Sequence, residues 1–214
     1  MRGWGHVVVF AKAPRLGAVK RRLAAGIGPL EALRFYRDNT ARLLRCLVRD
    51  RRWRCWLAMT PDRAALGPRF WRVRAGRMRQ GRGDLGVRMR RPFLALPPGP
   101  VVIVGSDIPE LQPRQIAAAF RLLGRVALVF GPASDGGYWL FGARHRNLPR
   151  ALFARVRWSS EHALSDTLDG IPARLSIGFA ERLDDIDDAA AFERWRARQR
   201  RRLSRPSDAP GGAA

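Results

Sequence analysis

Cysteine and long apolar runs are both scarce in this 214-residue sequence, which has only two cysteines, Cys46 and Cys55. Two thiols are too few for a disulfide-stapled scaffold or a cysteine-rich metal cluster, so we expect both to be small buried side chains in a reducing compartment. The apolar run at residues 7–11 is too short for the core of a secretion signal, and no run approaches the length of a membrane span. The sequence therefore predicts a cytoplasmic protein without a membrane span.

Acidic residues and lysines are also few. The chain has 41 basic and 18 acidic residues, a formal net charge of +23, and its only lysines are Lys12 and Lys20. Such a charge suggests an anionic partner, for example nucleic acid, a membrane surface or a phosphorylated substrate. The arginines are spread along the whole chain, however, as in a compositional bias, and no helix-turn-helix, RNA-recognition or zinc-finger pattern is present. Nucleic acid is therefore the less favoured partner, and a basic nucleic-acid-binding protein without catalysis is the rival hypothesis.

Several common catalytic motifs are missing. The sequence has no G-x-S-x-G, H-E-x-x-H or Walker A motif, and its three histidines show no metal-ligand spacing. The pattern G-x-G-x-x-G occurs at residues 81–86, but an arginine-rich segment precedes it where a dinucleotide site needs a buried strand. These observations argue against a serine hydrolase, a zinc protease and a dinucleotide-binding enzyme.

Short apolar runs alternate with amphipathic segments along most of the chain. This alternation predicts a layered α/β fold with a mostly parallel sheet, and the length favours one domain over residues 1–202. Residues 203–214 have the composition of a disordered tail. Thr60 is expected to cap a helix with Pro61 at its first position, and Pro92 to break or kink a later helix. Strands are predicted at residues 6–11, 53–59, 70–74, 101–104, 126–130, 138–141 and 173–177. Helices are predicted at residues 29–48, 83–96, 113–123, 161–168 and 188–200.

A predicted core strand, "VVIV", runs directly into polar residues. Gly105, Ser106 and Asp107 follow it at the sheet edge where α/β folds bind ligands. A carboxylate repels a polyphosphate, by about 4 kcal/mol for unit charges ~4 Å apart at an effective dielectric near ~20, unless a divalent cation lies between them. Mg²⁺ or Mn²⁺ would need further carboxylates, and the run "LDDIDDAAAF" (residues 183–192) supplies four. One of them, most simply Asp188, is expected to cap the following helix, and the others are either ligands or solvated.

Both lysines lie in the segment "KAPRLGAVKRRL", which joins the first strand to the next helical pattern. Gly17 allows close approach of the backbone, and amides at the start of a helix can point at a phosphate. The segment therefore predicts a loop that binds nucleotide phosphates. A solvated basic loop is the alternative in so arginine-rich a chain. The cations of the segment are Lys12, Arg15, Lys20, Arg21 and Arg22.

A third polar segment, "GPASDGGYWLFG", places Asp135 before Gly136, Gly137 and a predicted strand. Adjacent glycines let the backbone pass close beside a ligand, although Asp-Gly is also a strong turn signal. Asp135 is therefore a candidate for orienting an acceptor or a donor sugar. Trp158 and Ser159 are candidates for lining the acceptor side, although tryptophan is more often a core residue.

Taken in order, six segments resemble a bacterial family of uncharacterised proteins, the domain of unknown function 2064 family, which is grouped with type A glycosyltransferases. The segments are "FAKAPRLGAVKRRL", "QGRGDLGVRM", "GSDIPEL", "GPASDGGYWLFG", "LFARVRWSSEHAL" and "LDDIDDAAAF". The resemblance implies a nucleotide-diphospho-sugar transferase fold, a three-layer αβα sandwich with a mostly parallel central sheet. That fold is similar to the fold of the guanylyltransferases that act on phospholactate and on the molybdenum cofactor.

The resemblance also assigns roles to particular residues. In the wider group the loop after the first strand holds nucleotide phosphates, which would fall here to Lys12, Lys20 and Arg22. Arg15, Gly17, Gly105 and Ser106 are expected to line the same nucleotide site.

The metal, Mg²⁺ or Mn²⁺, would be bound by Asp107, and the resemblance implies that Asp187, with Asp185 beside it, completes the metal site. The chain departs from the family pattern in two places. Arg21 replaces a usual threonine, and the late motif lacks its usual proline and acidic residues, so that Asp188 is expected to take over the helix cap.

These observations lead to one function hypothesis with two alternatives. The favoured one is a metal-dependent transferase that uses a nucleotide or nucleotide-sugar donor and moves a glycosyl group to a small acceptor, with Asp107, Lys20 and Asp135 as catalytic residues. Nucleotidyl transfer with release of pyrophosphate is the first alternative. The second is a non-catalytic protein that binds nucleic acid, a nucleotide or a partner.

Overall fold

A seven-stranded sheet forms the centre of the part of the chain that the structure, a computed structural model, describes: residues 5–67 and 70–203. The order across the sheet is β3-β2-β1-β4-β6-β5-β7. Strand β6 runs antiparallel to its neighbours β4 and β5, and the other neighbouring pairs are parallel. The strands are β1 (Gly5–Lys12), β2 (Trp53–Thr60), β3 (Gly76–Arg79), β4 (Val101–Gly105), β5 (Leu128–Pro132), β6 (Tyr138–Ala143) and β7 (Ile177–Phe179).

Helices cover both faces of this sheet. Strand β1 illustrates this, because its apolar side chains alternate between the two faces of the sheet. Val7 and Val9 lie in one buried cluster with Leu43 of the second helix, and Val8 lies in another with Phe93 of the fourth. The prediction of a three-layer αβα sandwich with a mostly parallel sheet is confirmed. The helices are α1 (Arg21–Ile27), α2 (Pro29–Arg49), α3 (Arg63–Leu66), α4 (Leu85–Ala95), α5 (Pro113–Leu123), α6 (Ala163–Asp169) and α7 (Ala189–Leu203), with a short 3-10 helix at Arg150–Phe153.

The carboxyl ends of the parallel strands meet at one edge of the sheet. Lys12, the last residue of β1, pairs with Thr60 at the end of β2, and Phe10 of β1 pairs with Gly105 at the end of β4. The basic loop and the Asp107 segment therefore leave from neighbouring strands at the same edge.

A third apolar cluster fixes the late acidic segment beside this edge. Ile186 is 2% exposed and lies in one buried cluster with Leu23 of α1, Phe35 of α2 and Phe192 of α7. The aspartates on either side of Ile186 are thereby held at the surface beside α1.

Two predicted strands are misplaced. The prediction of a strand at residues 70–74 is wrong, because the indole N–H of Trp71 donates to a backbone carbonyl of α2 at 3.0 Å and the pairing strand β3 follows only afterwards. The late strand was expected at residues 173–177 but is β7, which overlaps that range only at its first residue. The N–H of Leu175 instead donates to the carbonyl of Pro172 at 2.9 Å, which closes a turn.

The helix boundaries bring corrections and one confirmation. The prediction that Thr60 caps a helix is wrong, because Thr60 belongs to β2 and α3 begins at Arg63. Helix α1 was not predicted, and Pro92 does not break α4, which continues past it to Ala95. The expected cap at Asp188 is confirmed, since its carboxylate accepts the N–H of Ala191 at 2.7 Å.

No helix within the described ranges is long and apolar enough to cross a membrane. The disordered tail predicted for residues 203–214 lies outside the described residues beyond Leu203, the last residue of α7. The assignment of residues 1–202 to one domain stays a prediction.

Candidate functional site

Three aspartates from distant parts of the chain converge at the carboxyl edge of the sheet. Asp107 follows β4, and Asp185 and Asp187 lie between β7 and α7. One carboxylate oxygen from each residue lies within 4.8 Å of the other two. The backbone N–H of Ile186 donates to the carbonyl of Asp107 at 3.3 Å, which joins the two segments directly. We call Asp107, Asp185 and Asp187 the carboxylate cluster.

Lys20 lies inside the carboxylate cluster. Its Nζ is 2.7 Å from Oδ2 of Asp107 and 2.5 Å from Oδ1 of Asp187, and its side chain is only 5% exposed. The backbone of Lys20 is left-handed, with φ 48° and ψ 49°, immediately before the first residue of α1. Non-glycine residues seldom adopt this conformation, and such residues are frequent at functional sites. The structure thus brings Lys20 of the basic loop into contact with Asp107 and Asp187, two of the three aspartates predicted to bind a metal.

The pKa values of Lys20 and Asp185 are raised in this cluster, and that of Asp187 is lowered. Burial by itself would lower the pKa of Lys20, but the charges and hydrogen bonds of Asp107 and Asp187 outweigh burial and raise it. For Asp187, burial would raise the pKa, but Lys20 and Arg22 outweigh burial and lower it. For Asp185, burial and the charges of Asp107 and Asp187 outweigh the charge of Lys20 and raise the pKa to about 7. The cluster therefore holds more carboxylate charge than one ammonium neutralises.

Polar residues of α2 hold the end of β1 and the segment that carries Asp107. The hydroxyl of Tyr36 accepts the N–H of Lys12 at 2.8 Å and donates to the carbonyl of Lys12 at 2.9 Å. The amide of Asn39 donates to the carbonyl of Ser106 at 2.9 Å. Sequence reasoning missed both residues. Their only signal is that they are polar residues on a buried helix face whose other members, apart from Thr40, are apolar.

A basic pocket of about 380 Å³ opens above the ends of β1 and β2, at the same edge of the sheet as the cluster. It contains two residues predicted for nucleotide binding, Lys12 and Arg15, whose side chains are exposed. Sequence reasoning missed two further cations, Arg63 and Arg88, which come from other elements and belong to no local motif. The residues lining this basic pocket are Lys12, Ala13, Arg15, Ala18, Thr60, Pro61, Arg63 and Arg88.

Buried Gln80 supports the floor of the basic pocket. Its amide donates to the carbonyls of Ala11 at 3.2 Å and Ala58 at 2.9 Å, and its oxygen accepts from Arg88 at 3.3 Å. Gln80 therefore ties the ends of β1 and β2 to the arginine that faces the pocket.

The Asp135 turn lies against the acidic run that carries two members of the cluster, since the N–H of Ser134 donates to Asp184 at 3.3 Å. Asp135 accepts the N–H of Gly137 at 2.9 Å, and the charge of Asp135 contributes to raising the pKa of Asp185. Gly136 has a φ of 80°, and a Cβ there would collide with the carbonyl oxygen of Glu161. The glycine thus permits a tight contact between this turn and the segment before α6, as well as a turn conformation.

Sequence comparison assigns the chain to a protein family. Residues 43–160, more than half of the chain, match the family described as "Uncharacterized protein conserved in bacteria (DUF2064)". The chain belongs to this family. The matched range includes Asp107 and the Asp135 turn but not Lys20, Asp185 or Asp187. No curated protein sequence matches the chain.

Solved structures resemble this family member over nearly its whole length. A protein from Desulfovibrio desulfuricans G20, provisionally described as a nucleotide-diphospho-sugar transferase, is 26% identical, with 97% of this chain and 92% of that chain covered at a TM-score of 0.80. A 4-diphosphocytidyl-2C-methyl-D-erythritol synthase from Anaerococcus prevotii DSM 20548 is 11% identical, with 92% and 98% covered at 0.60. A nucleotidyl transferase from Methanothermobacter is 13% identical, with 94% and 99% covered at 0.58. The chain has the nucleotide-diphospho-sugar transferase fold, as the resemblance implied.

The carboxylate cluster of this DUF2064 member fits a hard divalent cation. Mg²⁺ and Mn²⁺ prefer oxygen ligands, and Asp107, Asp185 and Asp187 each offer one within a common radius. The ammonium of Lys20 already lies against one oxygen of Asp107 and one of Asp187, which shows that these carboxylates attract a cation. These three aspartates are therefore the residues that would hold such an ion.

Other predicted residues lie at or near the cluster. Arg22 contacts the outer oxygen of Asp187 at 2.9 Å, but its side chain is 76% exposed. A Cβ on Gly105 would lie 2.9 Å from Oδ1 of Asp107, so this glycine leaves room for the carboxylate. Ser106 is buried, and its hydroxyl is 3.4 Å from the hydroxyl of Tyr36. Gly17 lies exposed in the basic loop with a φ of 71°.

The acceptor-side residues are not brought into the cluster. The ring of Trp158 packs against Phe153 and Tyr138, with centroids 6.0 and 6.5 Å away, in the apolar layer beneath the sheet. Ser159 is exposed and has a φ of 62°. The assignment of Trp158 and Ser159 to an acceptor site stays a prediction.

Proposed function

We propose that this protein is a metal-dependent transferase that moves a glycosyl group from a nucleotide-sugar donor to a small acceptor. The observation that carries the proposal is the contact of Lys20 with Asp107 and Asp187 at the same sheet edge as the basic pocket. A diphosphate could contact the cationic side chains of the pocket directly and the carboxylates through a bound divalent cation.

The basic pocket supports the donor side of the proposal. Four cationic side chains, Lys12, Arg15, Arg63 and Arg88, line a space of about 380 Å³. Guanidinium groups bind phosphate oxygens through two parallel hydrogen bonds, and ammonium groups bind them as point charges. The donor's nucleotide would lie in this pocket, with its diphosphate directed toward Lys20 and the carboxylate cluster.

The chemistry follows from where charge develops. An acceptor hydroxyl oxygen attacks the anomeric carbon of the sugar, the bond from that carbon to the phosphate oxygen breaks, and the nucleoside diphosphate leaves with the electron pair. The acceptor loses its proton, and Asp135, in the turn against the acidic run, is the proposed base or orienting group. Lys20 stabilises negative charge on the departing phosphate. A divalent cation held by Asp107, Asp185 and Asp187 would add positive charge to the same oxygens.

Nucleotidyl transfer is the alternative that uses the same groups, with attack on the α-phosphorus instead of the anomeric carbon. Incubation with radiolabelled nucleoside triphosphates and nucleotide sugars, followed by product separation, distinguishes the two. Release of a nucleoside diphosphate from a nucleotide sugar supports glycosyl transfer. Release of pyrophosphate from a triphosphate supports nucleotidyl transfer and contradicts the proposal.

The same assay needs matched variants. Asp107→Asn should abolish transfer because it removes a carboxylate of the cluster. Asp184→Asn is the control, since Asp184 lies in the same acidic run but accepts the N–H of Ser134 at 3.3 Å, which an asparagine oxygen can also do. Full activity of Asp107→Asn would contradict the role of this carboxylate, whereas nucleotide binding by the wild type without any turnover would favour the non-catalytic alternative.

A further inference from the structure

The side chain of Lys20 lies where a bound cation is expected. Its ammonium contacts one oxygen of Asp107 and one of Asp187, two of the three groups that form the proposed metal site. A divalent cation bound by these carboxylates would compete with the ammonium for the same negative charge, and the repulsion between two cations held this close favours displacement of the ammonium. We propose that Lys20 is an internal counter-cation in the metal-free protein, and that binding of the divalent cation releases Lys20 to bind the donor's phosphates. This inference rests on the metal site of the proposed function.

Because Lys20 is buried, its release from the carboxylates would leave its charge without a partner. The side chain is 5% exposed, and its ammonium is paired with two carboxylates. A buried ammonium that loses its partners is strongly destabilised unless another anion replaces them. Once a cation takes the carboxylate oxygens, the phosphate of a donor is such an anion. Cation binding would therefore create an anion site at Lys20, and the two ligands should bind with positive cooperativity.

The backbone of Lys20 is consistent with a residue held in place by these ion pairs. Its left-handed conformation, φ 48° and ψ 49°, is unfavourable for a lysine by about 1 kcal/mol or more. Contacts with Asp107 and Asp187 offset that cost in the metal-free protein. Loss of those contacts removes the reason for the side chain to stay in the cluster.

Binding of Mn²⁺ in the absence of nucleotide tests the competition. Calorimetry should show that Lys20→Met binds Mn²⁺ about tenfold or more tightly than the wild type, because the competing charge is gone. Arg21→Met is the matched control, since it removes a neighbouring exposed cation that is outside the proposed site. Arg21→Met should change Mn²⁺ affinity far less than Lys20→Met does.

The two lysines of the chain allow a second test that needs no variant. Amine acylation followed by peptide mass spectrometry reports the reactivity of Lys20 with exposed Lys12 as an internal reference. Without metal, Lys20 should be protected. Saturating Mg²⁺ alone should raise its reactivity several-fold relative to Lys12, and subsequent pyrophosphate should lower the absolute rate again.

The outcomes separate this inference from the proposed function. If Mn²⁺ binds the wild type but Lys20→Met binds it no more tightly, and Mg²⁺ leaves Lys20 protected, the internal counter-cation is refuted while the metal site stands. If neither the wild type nor Lys20→Met binds Mn²⁺, the metal site itself fails and the inference fails with it.

Discussion

The ammonium of Lys20 lies 2.5 Å from a carboxylate oxygen of Asp187, although 167 residues separate the two in the chain. This contact joins the start of α1 to the segment before α7, and Asp107 completes it from the end of β4. The contact explains how a loop and an acidic run at opposite ends of the sequence form one site.

The first prediction concerns stability without metal. Asp187→Asn should lower the free energy of unfolding by about 1–2 kcal/mol, because buried Lys20 loses one of its two partners. The loss is below the ~3–5 kcal/mol of a fully buried ion pair, since Asp187 is 38% exposed and Lys20 keeps Asp107. Urea denaturation in EDTA measures it. Asp38→Asn, an exposed change on α2, should have almost no effect, and equal losses for the two variants would contradict the contact.

The second prediction concerns the metal ligands. Asp107→Asn and Asp187→Asn should each weaken Mn²⁺ binding at least about tenfold, because each removes a charged oxygen ligand. Asp184→Asn lies in the same acidic run but outside the carboxylate cluster, and it should bind Mn²⁺ like the wild type. Titration monitored by the electron paramagnetic resonance of free Mn²⁺ compares the three. Equal losses in all three would mean that the run acts only through its total charge.

The third prediction concerns pH. Because the pKa of Asp185 is about 7 in the folded protein and near 4 when unfolded, the folded state holds an extra proton between these values. Stability attributable to Asp185 is therefore full below about pH 4 and falls as the pH rises through 7, by up to about 4 kcal/mol for a shift of about three pKa units. Replacing Asp185 with asparagine removes this dependence.

Denaturation of the wild type and Asp185→Asn in EDTA from pH 4.5 to 8 checks the sign. The gain of Asp185→Asn over the wild type should grow with pH. His6, whose pKa burial lowers, contributes in the opposite direction but is present in both proteins and cancels in the difference. A difference that does not change with pH would contradict the crowding of carboxylates around Asp185.

The fourth prediction concerns the basic pocket. Arg88→Gln and Lys12→Met should each weaken nucleoside diphosphate binding about tenfold, as expected for loss of one charge-assisted contact. Arg144→Gln removes an exposed charge just after β6, at the opposite edge of the sheet, and should leave affinity unchanged. Fluorescence titration with a labelled nucleotide compares them. If Arg144→Gln weakens binding as much as the pocket variants, the net charge of the protein, rather than the pocket, attracts the nucleotide.

Much of the fold could be predicted because its signals are local. Buried strands such as β1 and β4 are continuous apolar runs, and Asp188 stands at the start of α7 as a helix cap does. The short helix α1 was missed because seven residues with an internal glycine carry little periodicity. Its packing against α7, where Gly26 contacts Ala189, has no local signal.

The candidate site could be predicted only in part, because some of its residues are placed by tertiary contacts that leave no local signal in the sequence. Lys20 and Asp107 stand out beside a predicted strand, and the acidic run before α7 was conspicuous. Tyr36, Arg63 and Arg88 act through tertiary contacts and carry no motif of their own. The contact between Lys20 and the aspartates depends on the left-handed backbone at Lys20, which no residue preference indicates.

The central claim is that a divalent cation at the carboxylate cluster lets a nucleotide donor bind beside acidic side chains. Calorimetric titration of nucleotide sugars into the wild type and Asp107→Asn, with and without Mn²⁺, tests it most directly. The account predicts that Mn²⁺ strengthens binding of at least one donor to the wild type and has no such effect on Asp107→Asn. Binding that is the same with and without Mn²⁺, or an equal enhancement in Asp107→Asn, would contradict it.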